Sequence, residues 1–356
     1  MILPTPKYSK TKVNKAGEVL TQADPSINKL LWAYDVVDNW RACHGYPINT
    51  FQATLRNKLK VIDKNALVAQ RLKRMPSIIG KLKRFETMKL ARMQDIGGLR
   101  AVVSDLKKVR NLENNYKNTR FKHNLVSTKD YITYPKESGY RSIHLVYKYK
   151  NDNASEYNGM HIELQIRTKL QHYWATAVET MGTFLKYTLK SSEGPAEWLN
   201  FFSLAGCAFA CLEDTPLIAG YEGKSKKDIY AETLNEAKRL SIYDRLQAFS
   251  IVTKRIPIEK KHSFYYLIKL DLDQKVVSVQ IYSKKYLEAA NKKYAKYERR
   301  ISMGENLQVV LVSASSIEDL RRAYPNYFLD TREFINQLKR IDGLYKELTS
   351  SLNNII

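Results

Sequence analysis

The stretch His161-Ile162-Glu163-Leu164-Gln165-Ile166-Arg167 constrains this chain most, because apolar and polar residues alternate there with the two-residue period of a β-strand. Ile162, Leu164 and Ile166 fall on one face, and Glu163, Gln165 and Arg167 on the other. An exposed sheet edge gives such a pattern. So does a strand whose polar face serves a site, and a carboxylate, an amide and a guanidinium at successive positions keep that explanation open. Residues 98–103 are also strand-like, and residues 142–149 alternate Ile143, Leu145 and Tyr147 against Ser142, His144 and Val146.

Helical periodicity surrounds these strands. It predicts helices over residues 27–40 and, after the break at Gly45-Tyr46-Pro47, over 50–74. Ser77 is placed to cap a short helix carrying Lys81, Lys83 and Arg84. Further helices are expected from Asp105 to about Lys117, over 168–187, and over 196–250 with a polar break at 219–228. After Pro257 two strands are expected at 263–270 and 275–282. A basic helix at 284–300, a strand at 307–312, a helix begun by Ser315 or Ser316 and a last helix over 331–348 complete the chain. The expectation is α/β for residues 1–195, a helical connector over 196–256, and a small α+β domain over 257–356.

Composition narrows the partners. The net charge of +23 is concentrated: residues 1–100 hold 19 lysines and arginines against 7 acidic residues. A polyanionic partner or substrate fits that excess, as does a solvated lysine surface. Three cysteines, Cys43, Cys207 and Cys211, are too few for a disulfide framework and suggest a reducing, cytoplasmic setting. Cys207 and Cys211 lie one helical turn apart on an apolar run and read as packing residues. The opening MILPTPKYSKTK has no apolar run behind its charges, so no signal peptide is expected. The longest apolar stretch, residues 198–212, is too short for a membrane span and reads as a buried helix.

Two further segments bear polar groups suited to chemistry. Asp95 precedes a strand and two glycines, a place for a metal-holding carboxylate or for an ordinary turn. Magnesium takes one or two carboxylates plus phosphate oxygens, so Asp95 and Glu163 together suffice for it. The loop from Lys136 through Tyr140 and Arg141 to His144 offers an aromatic ring for base stacking and two cations for phosphates, unless it is a plain hairpin loop.

Arg71-Leu72-Lys73, Ser77-Ile78 with Lys81 and Arg84, Asp95-Ile-Gly-Gly-Leu-Arg100, Gly139-Tyr140-Arg141-Ser142-Ile143-His144, and Glu163-Leu-Gln165-Ile-Arg167-Thr168 with Trp174 beyond resemble the successive motifs of the RelA/SpoT synthetase domain. The resemblance spans about residues 50–190. It implies a nucleotidyltransferase-like mixed sheet with flanking helices, and an ATP-dependent pyrophosphokinase. By position it puts Arg71, Lys73, Lys81 and Arg84 on ATP, Asp95 on magnesium and Tyr140 against the acceptor base. Glu163 would activate the acceptor hydroxyl and share the metal, while Lys136, Arg100, Arg141, His144, Gln165 and Arg167 would line the acceptor side. No His-Asp dipeptide occurs, so synthesis without hydrolysis is expected.

The segment from Val309 through Leu320-Arg-Arg-Ala-Tyr324-Pro-Asn-Tyr327-Phe328-Leu-Asp330 is similar to the C-terminal region of fused toxin-antitoxin members of this family, the CapRel kind. In that group a Tyr-x-x-Tyr pair is held to block the ATP pocket, and a phage structural protein such as the major capsid protein is the trigger. Tyr324 and Tyr327 match the pattern, and so do Tyr294 and Tyr297. That C-terminal fold is described as a pseudo-zinc finger, and after Cys211 the chain offers no cysteine and one histidine, His262, too few for a zinc site. The acceptor is then either the 3′ CCA end of tRNA, which the basic N-terminal segment favours, or GDP or GTP. A degenerate site serving only binding is the third possibility.

Overall fold

The computed structural model describes residues 4–118, 121–185, 187, 189, 192–250, 264–274, 276–314, 317–328 and 330–353. Three helices lead in: α1 (Lys10–Val19), α2 (Ile27–Cys43) and α3 (Gly45–Ile62). Strand β1 (Leu67–Leu72), helix α4 (Met75–Arg84), strand β2 (Gly97–Val103), helix α5 (Leu106–Asn118) and strands β3 (Asn124–Asp130), β4 (Ile143–Lys148) and β5 (His161–Thr168) follow. Helices α6 (Lys169–Leu185), α7 (Ala196–Glu213), α8 (Lys226–Arg239) and α9 (Ile242–Ser250) precede β6 (Phe264–Asp271) and β7 (Val276–Tyr282). The chain ends with α10 (Leu287–Ser302), β8 (Leu307–Ala314), α11 (Ile317–Ala323) and α12 (Arg332–Asn353).

One mixed sheet organises these elements, in the order β3-β4-β5-β2-β1-β8-β6-β7. Within it β2 and β5 run parallel, and the remaining neighbours run antiparallel. The expected α/β mixed sheet is therefore present. On β5, Ile162, Leu164 and Ile166 are fully buried, as the alternation requires. They pack with α3 and α5 through Ile48, Phe51, Leu55, Val109 and Leu112. A second core joins α6 to α9 with α12, where Trp198, Phe201 and Phe209 meet Phe334, Ile335 and Leu338. The apolar run 198–212 is thus the buried helix α7, and all three cysteines are free and buried. No described helix is long and apolar enough to cross a membrane.

Three expectations need correction. The helix predicted over 50–74 ends at Ile62, and Leu67–Leu72 is a strand. Asp63 stops the helix, its carboxylate accepting from Asn65 N at 3.2 Å and Ser104 N at 2.8 Å. Pro47 does not break α3 but sits in its first turn, where its missing N–H is no loss. Ser77 lies inside α4, whose N-cap is Arg74. Sequence periodicity also leaves out α1, capped by the Ser9 side chain, and β3, an edge strand with no buried face to generate alternation. Pro257 and the expected helix start at Ser315 or Ser316 lie outside the described residues.

The C-terminal strands extend the N-terminal sheet. β8 lies against β1 and pairs with it at Arg71 and Val312. That seam brings α11 and the turn after it over the face of β1, so Tyr324 and Tyr327 share a core with Ala69.

Candidate active site

Three adjacent strands assemble the polar cluster. The register sets Arg71 of β1 opposite Gly98 of β2, and sets Gly98 and Arg100 opposite Glu163 and Gln165 of β5. Gly97 faces the core, where a Cβ would lie 2.9 Å from Ile162 Cδ1 and 3.1 Å from Ile48 side-chain atoms. Its role is close packing, not access for a ligand. On the opposite face a cavity is lined by Arg71, Lys73, Asp95, Arg100, Glu163, Gln165 and Tyr324, with Ala69, Gly98 and Leu99.

Asp95 holds two cations at once. Its Oδ2 is 2.8 Å from Lys73 Nζ and its Oδ1 is 2.9 Å from Lys81 Nζ. Burial alone would raise its pKa, but the two ammonium groups outweigh that and hold the carboxyl at about 2. Lys73 is itself shifted down, burial outweighing the attraction of Asp95. Lys73 N also donates to Ile96 O at 2.8 Å, tying the end of β1 to the start of β2.

Glu163 is oriented from both sides. Its Oε1 is 2.8 Å from His144 Nδ1, and its Oε2 accepts from Gln165 Nε2 at 2.8 Å. The carboxyl is 13% exposed, and although burial pushes its pKa up, His144 and Gln165 bring it below the usual range. An ionised Glu163 requires His144 to donate from Nδ1, which leaves Nε2 to accept from the Tyr140 hydroxyl at 2.8 Å. Tyr140, His144, Glu163 and Gln165 form one hydrogen-bonded chain.

The other predicted residues divide. Arg100 lines the cavity, and Lys136 stands over the Tyr131 ring at 4.7 Å. Arg167 lies behind the cavity, 1% exposed and bonded to His172 Nδ1. Burial, then the neighbouring Arg100, lowers its pKa to about 9. Arg167 Nε and Nη1 and Arg100 Nε have no hydrogen-bond partner among the described residues, an unusual density of unmet buried donors. Arg84 turns away from the cavity to pair with Glu193 at 2.7 Å on the surface.

Two placements correct the sequence reading. Tyr140 is 3% exposed, packed on Trp174 with its hydroxyl engaged by His144, so its ring is not available for base stacking. Arg141 does not reach an acceptor. It is buried and donates to Gly139 O, Gly206 O and Pro216 O at 3.0, 2.9 and 2.9 Å. The loop docks there glycine on glycine: Gly139 has φ of +86°, and a Cβ on Gly206 would lie 2.8 Å from Gly139 Cα. Sequence reasoning does not single out Tyr131, a half-buried ring 5.3 Å from the His144 ring in edge contact, because one tyrosine in a polar loop carries no pattern.

Among the described C-terminal residues Tyr324 reaches the cavity, and its hydroxyl donates to Gln70 O in β1. Tyr327 lies beside it, 1% exposed, the rings in edge contact at 6.5 Å. Among the described residues no three His, Cys, Asp or Glu groups converge on a metal position. Two ionised carboxylates facing one cavity, with phosphate oxygens completing the shell, nonetheless match what magnesium takes, provided that Lys73 and Lys81, which hold both oxygens of Asp95, give one of them up.

Residues 70–187 match the family described as a region found in RelA / SpoT proteins. The chain is similar to GTP pyrophosphokinase YjbM of Bacillus subtilis, 37% identical over 114 residues that cover 31% of this chain and 52% of that protein. GTP pyrophosphokinase YwaC of the same organism is 32% identical over 114 residues, 30% of this chain and 52% of that protein. The chain thus spans about half the length of these relatives. Among solved structures, small alarmone synthetase 1 from Bacillus subtilis bound to its product pppGpp is 25% identical. That match covers 50% of this chain and 92% of the other, with a TM-score of 0.43. Residues 70–187 are thus similar to the region found in RelA / SpoT proteins.

Proposed function

We propose that the chain is a magnesium-dependent pyrophosphokinase that moves the β- and γ-phosphates of ATP onto a ribose hydroxyl and releases AMP. The observation that carries this is the meeting of Asp95 and Glu163, both ionised, in one cavity with Arg71 and Lys73. The acceptor oxygen attacks the β-phosphorus, the bond from that phosphorus to the oxygen it shares with the α-phosphate breaks, and the electron pair leaves on AMP. Glu163, oriented by His144 and Gln165, takes the hydroxyl proton as the acceptor attacks. Arg71, Lys73 and Lys81 neutralise the charge on the moving phosphates, as phosphoryl-type transfer requires positioning more than covalent chemistry. Asp95 and Glu163 would hold magnesium, which supplies further charge neutralisation when bound. Arg100 and Arg167 offer unmet buried donors for an anionic acceptor, and Tyr131 under Lys136 replaces Tyr140 as the ring that meets its base.

The acceptor we favour is the 3′ end of tRNA. Lys10, Lys12 and Lys15 lie on α1, a basic flank that packs against the turn before Asp95 through Asn14 Oδ1, which accepts from Ala91 N at 2.9 Å. A polyanion gains most from such a flank. GDP or GTP is the second reading, supported by the names of the Bacillus relatives. Incubation with γ-labelled ATP and either bulk tRNA or GDP and GTP separates them, since label moves to RNA in one case and to guanosine tetra- or pentaphosphate in the other.

Residues 264–353 are then a regulatory segment. Tyr324 stands in the cavity beside Arg71 and Lys73, where ATP phosphates belong, which supports restraint of a toxic synthetase by its own C-terminal part. A phage structural protein is the proposed trigger, on the resemblance of residues 309–330 to fused toxin-antitoxin proteins. A partner that favours the undocked segment shifts the population to the active form by no more than its differential affinity. In cells, Tyr324→Ala with Tyr327→Ala should arrest growth without a trigger and Glu163→Gln should rescue it. Harmless expression of an active double variant would refute the restraint.

A further inference from the structure

The second Tyr-x-x-Tyr pair lies on α10, and its first member leads to a different contact. Tyr294 accepts from Arg41 Nη2 at 3.2 Å, and Arg41 Nη1 is 2.6 Å from Glu298 Oε2, one turn further along. Arg41 and Glu298 are each 3% exposed, and they come from opposite ends of the chain. Between them they hold one short segment. Arg41 Nε donates to Lys73 O at 3.0 Å, and the other oxygen of Glu298 accepts from Met75 N at 2.8 Å.

That segment joins β1 to α4. The N-cap of α4, Arg74, gives no side-chain acceptor to the first turn, so the Glu298 carboxylate meets an N–H that would otherwise be unpaired and lies where the helix dipole favours a negative charge. The same segment carries Lys73, and α4 carries Lys81, the two ammonium groups on Asp95. Asp38 and Arg299 complete the contact, with Arg41 Nη1 3.1 Å and Arg299 Nη2 3.6 Å from the Asp38 carboxylate. A buried ion pair contributes little net stability but fixes one arrangement, and breaking it on one side leaves a buried charge unpaired.

We propose that Arg41 and Glu298 are a latch through which α10 grips the β1–α4 segment from behind, so that release of Glu298 and withdrawal of Tyr324 from the cavity are one event. The β1–β8 pairing is too slight to impose this by itself. The proposal rests on the restraint assigned to Tyr324, but its test does not need that restraint to be inhibitory.

Hydrogen–deuterium exchange on the full chain, read by peptide, decides it. Glu298→Gln should raise exchange at 73–78 and at 320–328 together, each by at least about tenfold, while β2 and β5 stay protected as in the wild type. Faster exchange at 73–78 alone would reduce Glu298 to a local helix cap and overturn the latch. So would no change at either segment. If Glu298→Gln does not fold, Arg41→Met with Glu298→Met removes both charges of the pair and leaves Asp38 to Arg299; the same two segments must open together in it, and protection of 320–328 would again overturn the latch. The restraint is judged separately: if Tyr324→Ala with Tyr327→Ala gives no gain in transfer, that reading falls, whatever the exchange pattern shows.

Discussion

The two sides of β1 are held differently. Toward β2 it pairs through six successive residue pairs, Leu67 with Val102 down to Leu72 with Gly97, and β5 continues that ladder with seven more. Toward β8 it pairs at Arg71 and Val312 alone, and side chains make further links, among them Tyr324 to Gln70 O, Tyr265 with Asn49, Gln308 with Thr183, His172 with Arg322 O and the Arg41–Glu298 pair. A continuous ladder suits groups that must keep fixed distances. A seam closed by side chains suits a part that has to leave. Substitutions on the β2–β5 side should therefore lose activity, and substitutions along the seam should gain it.

The largest effect belongs to the first side. Glu163→Gln should reduce transfer by about 10²–10⁴-fold, and Asp95→Asn should be comparable, with the far-ultraviolet circular dichroism unchanged; initial rates with γ-labelled ATP measure both. Activity within tenfold of wild type for both would erase the distinction between the two sides. Asp95 also gives a pH signature. Its folded pKa of about 2 lies below the ordinary value of 3.8, so its stabilisation is present above pH 4 and is lost as pH falls towards 2. Acid denaturation midpoints should show Asp95→Asn lacking that share of acid sensitivity.

Next in size, Arg141→Ala should destabilise the chain by about 3 kcal/mol, because three carbonyls around Gly139 and Gly206 lose their donor. Denaturant midpoints measure this, and KM for either acceptor should stay put in the folded fraction. A raised KM with unchanged stability would return Arg141 to acceptor binding.

Tyr324→Phe tests the seam gently. It removes one hydrogen bond, worth about 0.5–1.5 kcal/mol, so untriggered activity should rise roughly two- to tenfold. A fall would mean that the hydroxyl serves the reaction. The smallest effect should come from Arg84→Ala, whose partner Glu193 is exposed: under about 1 kcal/mol of stability and little change in KM for ATP. A large rise in that KM would show that Arg84 swings into the cavity during turnover.

These contrasts also explain what the sequence discloses. β5 is legible because one face is wholly buried, so alternation survives in the residues, and Glu163 and Gln165 stand out against it. Asp95 is legible as a motif, but its two lysine partners are a matter of tertiary approach, from the end of β1 and from α4. β1 hides because Leu67-Val-Ala-Gln-Arg-Leu72 has neither strict alternation nor a turn signal stronger than Asp63. The loop with Tyr140 and Arg141 misleads because an aromatic and a cation beside glycine suit ligand binding and loop docking equally well. Burial alone separates the two, and burial is set by α7, more than 50 residues later.

The most direct test of the account is a stoichiometric one. With full-length protein carrying Tyr324→Ala and Tyr327→Ala to lift the proposed restraint, magnesium and γ-labelled ATP, label should pass to tRNA or to a guanine nucleotide with one AMP released per label transferred, and adding Glu163→Gln should give neither. Release of ADP instead of AMP, or label transfer that survives Glu163→Gln undiminished, would contradict it.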